Sequence, residues 1–130
     1  MAGDYGRAKE MYLEAVGVEA NCVEALFNLG LVNLRLNTVA EANQAFEKLY
    51  TILPSANEAL FHMAAIYERS TLQADLEQAA KTYEMLLNKV PTDPNICVKL
   101  GQVCFLKNVF VDEVYFVWLI SICAFRFLNV

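Results

Sequence analysis

The sequence predicts an all-α superhelix of antiparallel helix pairs, on three observations. A ladder of small and large apolar residues recurs along the chain at a nearly constant step. Within each step the apolar residues are spaced as on two amphipathic helices. No alternating apolar and polar run of the kind that marks a strand survives in residues 1–108. The ladder is reported by residues of different types. Leu29-Gly30 recurs as Met63-Ala64 and Leu100-Gly101, at steps of 34 and 37 residues. Ala42, Phe46 and Leu49 recur 37 residues later as Ala79, Tyr83 and Leu86, and Pro54 recurs as Pro91 at the same step. Upstream, Ala8, Tyr12 and Ala15 precede Ala42, Phe46 and Leu49 by 34. The spacing predicts five stacked helices over residues 4–107.

In chain order, Asp4–Val16 reads as a lone second helix, within a half repeat over residues 4–22. In Val23–Leu36, Leu26, Leu29 and Val32 form one stripe and Phe27, Leu31 and Leu34 an adjoining one. Asn37-Thr38 closes this helix, because Asn tolerates the left-handed backbone that ends helices. Ala40–Leu53 repeats the pattern with Ala42, Ala45, Phe46, Leu49 and Ile52, and Pro54-Ser55 stops it, completing a repeat over residues 23–56. The next repeat, residues 57–93, carries three extra residues, which fit at Ser70-Thr71-Leu72-Gln73. Pro91-Thr92-Asp93-Pro94 then supplies a terminator, an N-cap Asp and a Pro at the first helical position. Pro94–Lys107 opens a half repeat over residues 94–107. The small residues Gly30, Ala64 and Gly101 on first helices, with Ala8, Ala42 and Ala79 on second helices, let antiparallel helices approach. Phe46 and Tyr83 provide the bulk between hairpins, and Pro54 and Pro91 close each unit.

Composition narrows the function. Ten Lys and Arg against 15 Asp and Glu leave a net charge of −5, which argues against nucleic acid or an anionic membrane as the main partner. Val109–Val130 stands apart, with 17 hydrophobic residues in 22. Its charge-free stretch, Val114–Phe125, has 12 residues, where a membrane span needs about 20, so no transmembrane segment is expected. This tail carries no repeat landmark and is expected to be foreign to the array, the product of truncation, alternative splicing or a misassigned gene boundary. The chain has no signal-peptide core at its start, and its four cysteines, Cys22, Cys97, Cys104 and Cys123, are expected to be structural thiols in a reducing compartment. Cys97 and Cys104 share a helix face, but no second Cys/His pair completes a metal set. His62 is expected to pack on a helix rather than ligate or catalyse. With no Gly-rich phosphate loop and no nucleophile–base set, neither enzymatic activity nor a cofactor nor a metal is expected.

The pattern of Leu-Gly on a first helix, Ala-x-x-x-(Phe/Tyr)-x-x-(Leu/Ala) on a second, and a closing Pro is similar to the tetratricopeptide repeat, whose unit is about 34 residues. An array that begins and ends in half a repeat looks cut from a longer solenoid. More specifically, Ala-Gly-Asp-Tyr-Gly-Arg-Ala-Lys-Glu-Met-Tyr-Leu-Glu-Ala, Cys-Val-Glu-Ala-Leu-Phe-Asn-Leu-Gly-Leu-Val-Asn-Leu-Arg-Leu, Ile-Tyr-Glu and Val-Pro-Thr-Asp-Pro resemble the large tetratricopeptide subunits of the intraflagellar transport B complex. The resemblance covers Ala2–Gly101 and fades near Val103, where Glu113 and Val117 stand in for a small residue and an aromatic. It implies a non-catalytic scaffold in the cytoplasm, cilium and basal body, active in cilium assembly and partnered by other intraflagellar transport B subunits. The alternative is an adaptor of another multiprotein complex, such as a cell-cycle ubiquitin ligase or a chaperone-linked assembly.

The resemblance also implies a binding surface, since first helices line the concave side of such arrays. The positions expected there are Glu24, Phe27, Leu31 and Leu34, then Glu58, Phe61, Ala65 and Glu68, then Asn95, Val98, Gln102 and Phe105. Members that clamp acidic chaperone tails place Lys, Asn and Arg at such positions. Phe, Leu and Glu favour instead an apolar or basic helical segment of a partner protein. Packing of Phe27, Leu31 and Phe61 against neighbouring repeats is the competing reading.

Overall fold

The computed structural model describes residues 3–107 together with positions 121, 122 and 124. Over residues 3–107 six α-helices follow one another: α1 (Tyr5–Val18), α2 (Val23–Arg35), α3 (Val39–Ile52), α4 (Asn57–Glu68), α5 (Gln73–Lys89) and α6 (Pro94–Lys107). The expected count of five was one short, because both flanking segments and all four between them are helical. No strand occurs among the described residues. The expectations for the tail and for Cys123 lie outside the described residues, of which Ser121, Ile122 and Ala124 are helical.

The helix ends follow from local chemistry. Asn37 takes φ 60°, and around it the Thr38 N–H donates to the Asn33 carbonyl at 2.9 Å and the Asn37 N–H to that of Leu34 at 3.2 Å. This crossed pair satisfies carbonyls that the end of α2 leaves without partners. The Thr38 hydroxyl also donates to Asn33 Oδ1 at 2.9 Å, which pairs the amide oxygen of a residue only 1% exposed. At α1 the Asp4 carboxylate accepts from the Arg7 N–H, and before α6 the Asp93 carboxylate accepts from the Asn95 N–H at 2.9 Å. Asp93 is therefore the N-cap and Pro94 the first helical residue. Pro54 and Pro91 are exposed in the turns after α3 and α5, so they stop helices rather than pack between them.

The chain divides into two compact units, Met1–Met63 and Ala64–Val130, and the division falls inside α4. In the first unit α1 packs on α2 and α2 on α3. Leu29, Val32 and Ala45 form a buried cluster covered by Ala8, Tyr12 and Val16 of α1, and Lys9 pairs with Glu41 at its edge. A Cβ added at Gly30 would collide with the Phe46 ring, and Ala42 and Phe46 are wholly inaccessible. Glycine stands at position 30 because the ring of the following helix occupies the space of a side chain. Burial of an aromatic of this size contributes about 1.5–3 kcal/mol.

In the second unit α5 packs on α6. Ala64, Ala79 and Tyr83 are fully buried, and the Tyr83 hydroxyl donates to Glu68 Oε2 at 2.7 Å. Ala64 and Glu68 lie one turn apart on α4. Burial first, then the hydrogen bond and negative charge of Glu68, push the Tyr83 phenol above its ordinary value. The linker before α5, residues 69–72, is only one residue longer than that before α3, residues 36–38, so the three extra residues of this repeat do not all sit in the turn at Ser70–Gln73. They lengthen the helix: α5 has 17 residues where α3 has 14, and the added turn precedes Ala79. Gln73, Ala74 and Asp75 are sound helix residues, so the chain extends the hydrogen-bonded ladder rather than leaving them in a loop. At Gly101 a Cβ meets nothing within 4 Å among the described residues.

Candidate functional site

The first unit contains a cleft of about 590 Å³ lined by Val23, Glu24, Phe27, Leu49, Ser55, Ala56, Asn57, Glu58 and Ala59. Three elements build it. The start of α2 contributes Val23, Glu24 and Phe27, and Phe27 shares their face because it lies four residues after Val23 and three after Glu24. The last half of α3 contributes Leu49, which is 1% exposed and forms part of the floor. The turn after α3 and the first turn of α4 contribute the stretch from Ser55 to Ala59.

Of the residues expected on the concave face, the structure brings Glu24, Phe27 and Glu58 together at this cleft. Leu31 and Leu34 are half-buried further along α2 and do not line it, and neither does Phe61. Phe61 instead sets its ring edge on His62, centroids 6.4 Å apart. In the second unit Val98 and Phe105 are exposed by 57% and 69%. They share one stripe of α6 with Asn95 and Gln102, both also exposed, while Ala65 on α4 is half-buried. Glu68, expected on the concave face, is engaged by residues of its own unit. Its side chain is 15% exposed, holds Lys99 at 3.3 Å and accepts from Tyr83, so it anchors the packing of its own unit.

His62 lies under the wall of the cleft. Its ring stacks on Phe46 with centroids 5.1 Å apart and planes 11° from parallel, and it meets the Phe27 ring at 5.8 Å. Burial lowers its pKa below the ordinary 6.5, and the nearby Glu58 carboxylate partly offsets this. A neutral imidazole with aromatic neighbours is a packing element here. The sequence pattern missed Leu49 and the Ser55–Asn57 turn, since a helix-face pattern carries no signal for the end of a different helix or for a turn. Among the described residues no group of three His, Cys, Asp or Glu could hold a metal ion. Cys97 and Cys104 are buried in α6, Cys22 is half-buried, and none of the three is in a disulfide.

Tetratricopeptide repeat models match residues 2–57 and, next to them, residues 58–93. The chain belongs to the tetratricopeptide repeat family. A human relative, protein O-mannosyl-transferase TMTC3, is 29% identical over 97 residues, which cover 74% of this chain and 11% of that protein. The chain thus spans about a tenth of that relative's length. Tetratricopeptide repeats are protein-binding scaffolds, and the small-residue ladder, the helix pairs and the closing prolines of this chain are those of the family. No helix among the described residues is long and apolar enough to cross a membrane.

Proposed function

We propose that the chain is a non-catalytic docking array that holds a helical segment of a partner protein within the intraflagellar transport B assembly. The observation that carries the docking role is the cleft of the first unit, where the apolar floor of Val23, Phe27 and Leu49 is rimmed by Glu24 and Glu58. Burial on such a floor supplies affinity, and the acidic rim sets orientation. The assembly is supported by the sequence resemblance over Ala2–Gly101. Its test is affinity purification of the tagged chain from ciliated cells. Recovery of intraflagellar transport B subunits is the expected result, and recovery of cell-cycle or chaperone complexes without them overturns the assignment to that assembly.

A second reading follows from the 29% identity to the O-mannosyl-transferase. There the array is the binding segment of a larger glycosyl-transferring protein whose chemistry resides outside these repeats. Proximity labelling separates the two, since labelled proteins of the cilium and basal body support the first and labelled proteins of the secretory compartments support the second.

A further inference from the structure

Among the described residues, ion pairs tie Glu41 to Lys9, Glu68 to Lys99 and Glu77 to Lys107. Glu24 and Glu58 are different. Both are exposed, both open on the same cleft, and neither has a cationic partner among the described residues. Glu24 and Glu58 thus offer two carboxylates, both acceptors, at the edge of an apolar floor.

We infer that this cleft receives a Lys or Arg side chain of the partner segment. The aliphatic stem lies on Val23, Phe27 and Leu49, and the cationic head donates to the Glu24 and Glu58 carboxylates. The match is to the two-part chemistry of a basic side chain, which buries its methylenes while its head keeps polar company. The Phe27 ring adds the electrostatic attraction of an aromatic face for a cation. A volume of about 590 Å³ exceeds one side chain, so an apolar neighbour of the basic residue enters with it. This deepens the docking role proposed above and rests on it.

The test uses the whole chain and two fluorescent peptides, Ala-Leu-Ala-Lys-Ala-Leu-Ala and the same peptide with norleucine for lysine, which keeps the stem and removes the charge. The lysine peptide binds at least tenfold more tightly, and its advantage shrinks as salt screens the rim. Glu24→Gln with Glu58→Gln removes the advantage, whereas Glu14→Gln on the exposed side of α1 preserves it. Equal binding of the two peptides to the native chain overturns the inference. So does a lysine preference that persists in the double variant, with circular dichroism showing it folded. Failure of the docking role itself is distinguished by purification from ciliated cells. A double variant that still captures the native partner leaves docking intact and removes only the basic-residue pocket, while a native chain that captures none removes both.

Discussion

Gly30 shows how much one missing methyl group can decide. Its hydrogen stands where the Phe46 ring passes, and Phe46 is fully enclosed with no room to withdraw. Gly30→Ala is therefore expected to destabilise the chain by about 1–3 kcal/mol through overpacking, even though alanine has the better helix propensity; urea unfolding measures the difference. His62 gives a pH dependence of definite sign. Its folded-state pKa is lowered, so its contribution is fully present above the ordinary value of 6.5. It is lost as pH falls below that value, where the unfolded chain takes up a proton that the folded chain resists. The urea midpoint is expected to drop between pH 7.5 and 5.5, and His62→Phe to flatten that drop. Because Glu58 raises the pKa, Glu58→Gln is expected to deepen the loss and carry it to lower pH.

The helices owe their ends to signals a few residues long. Asn37 with its left-handed φ and Asp93 ahead of Pro94 were both readable, because a cap depends on adjacent residues and backbone groups within one turn. Asp93→Ala is expected to cost about 1 kcal/mol, and Asn37→Val, which puts a β-branched residue in the left-handed region, about 1–2 kcal/mol; thermal melts followed by circular dichroism check both. The site of the three-residue insertion was less readable. Loop extension and helix extension satisfy the same repeat spacing, and the chain chose the helix, where each added residue gains a backbone hydrogen bond.

Across the molecule, the acidic excess of the composition divides into acids that hold the fold and acids left open to a partner. Glu41, Glu68 and Glu77 belong to the first kind, and Glu24 and Glu58 to the second. Reversal at Glu68 is accordingly expected to unfold the second unit rather than tune binding, since it strands Tyr83 and places a cation beside Lys99. The tail offers a different test. With 17 hydrophobic residues in 22, Val109–Val130 is an aggregation hazard whenever exposed. Its deletion is expected to raise solubility while circular dichroism shows the helices of residues 4–107 retained; collapse of the helical signal would make the tail a necessary cap.

Periodicity and short-range chemistry were enough to establish the helices, their caps and the pairing of a small residue with an aromatic in each hairpin. Those features repeat every 34 to 37 residues, and each is decided by neighbours along one helix or one turn. The cleft was legible only in part. Glu24, Phe27 and Glu58 sit at helix-face positions that a pattern can reach. Leu49 and the Ser55–Asn57 turn join them only because the end of α3 and the turn after it are folded against the start of α2. Whether a carboxylate is a rim charge or an anchor is likewise settled by which cation and which phenol the packing brings within reach, and for Glu68 these lie 31 and 15 residues away along the chain.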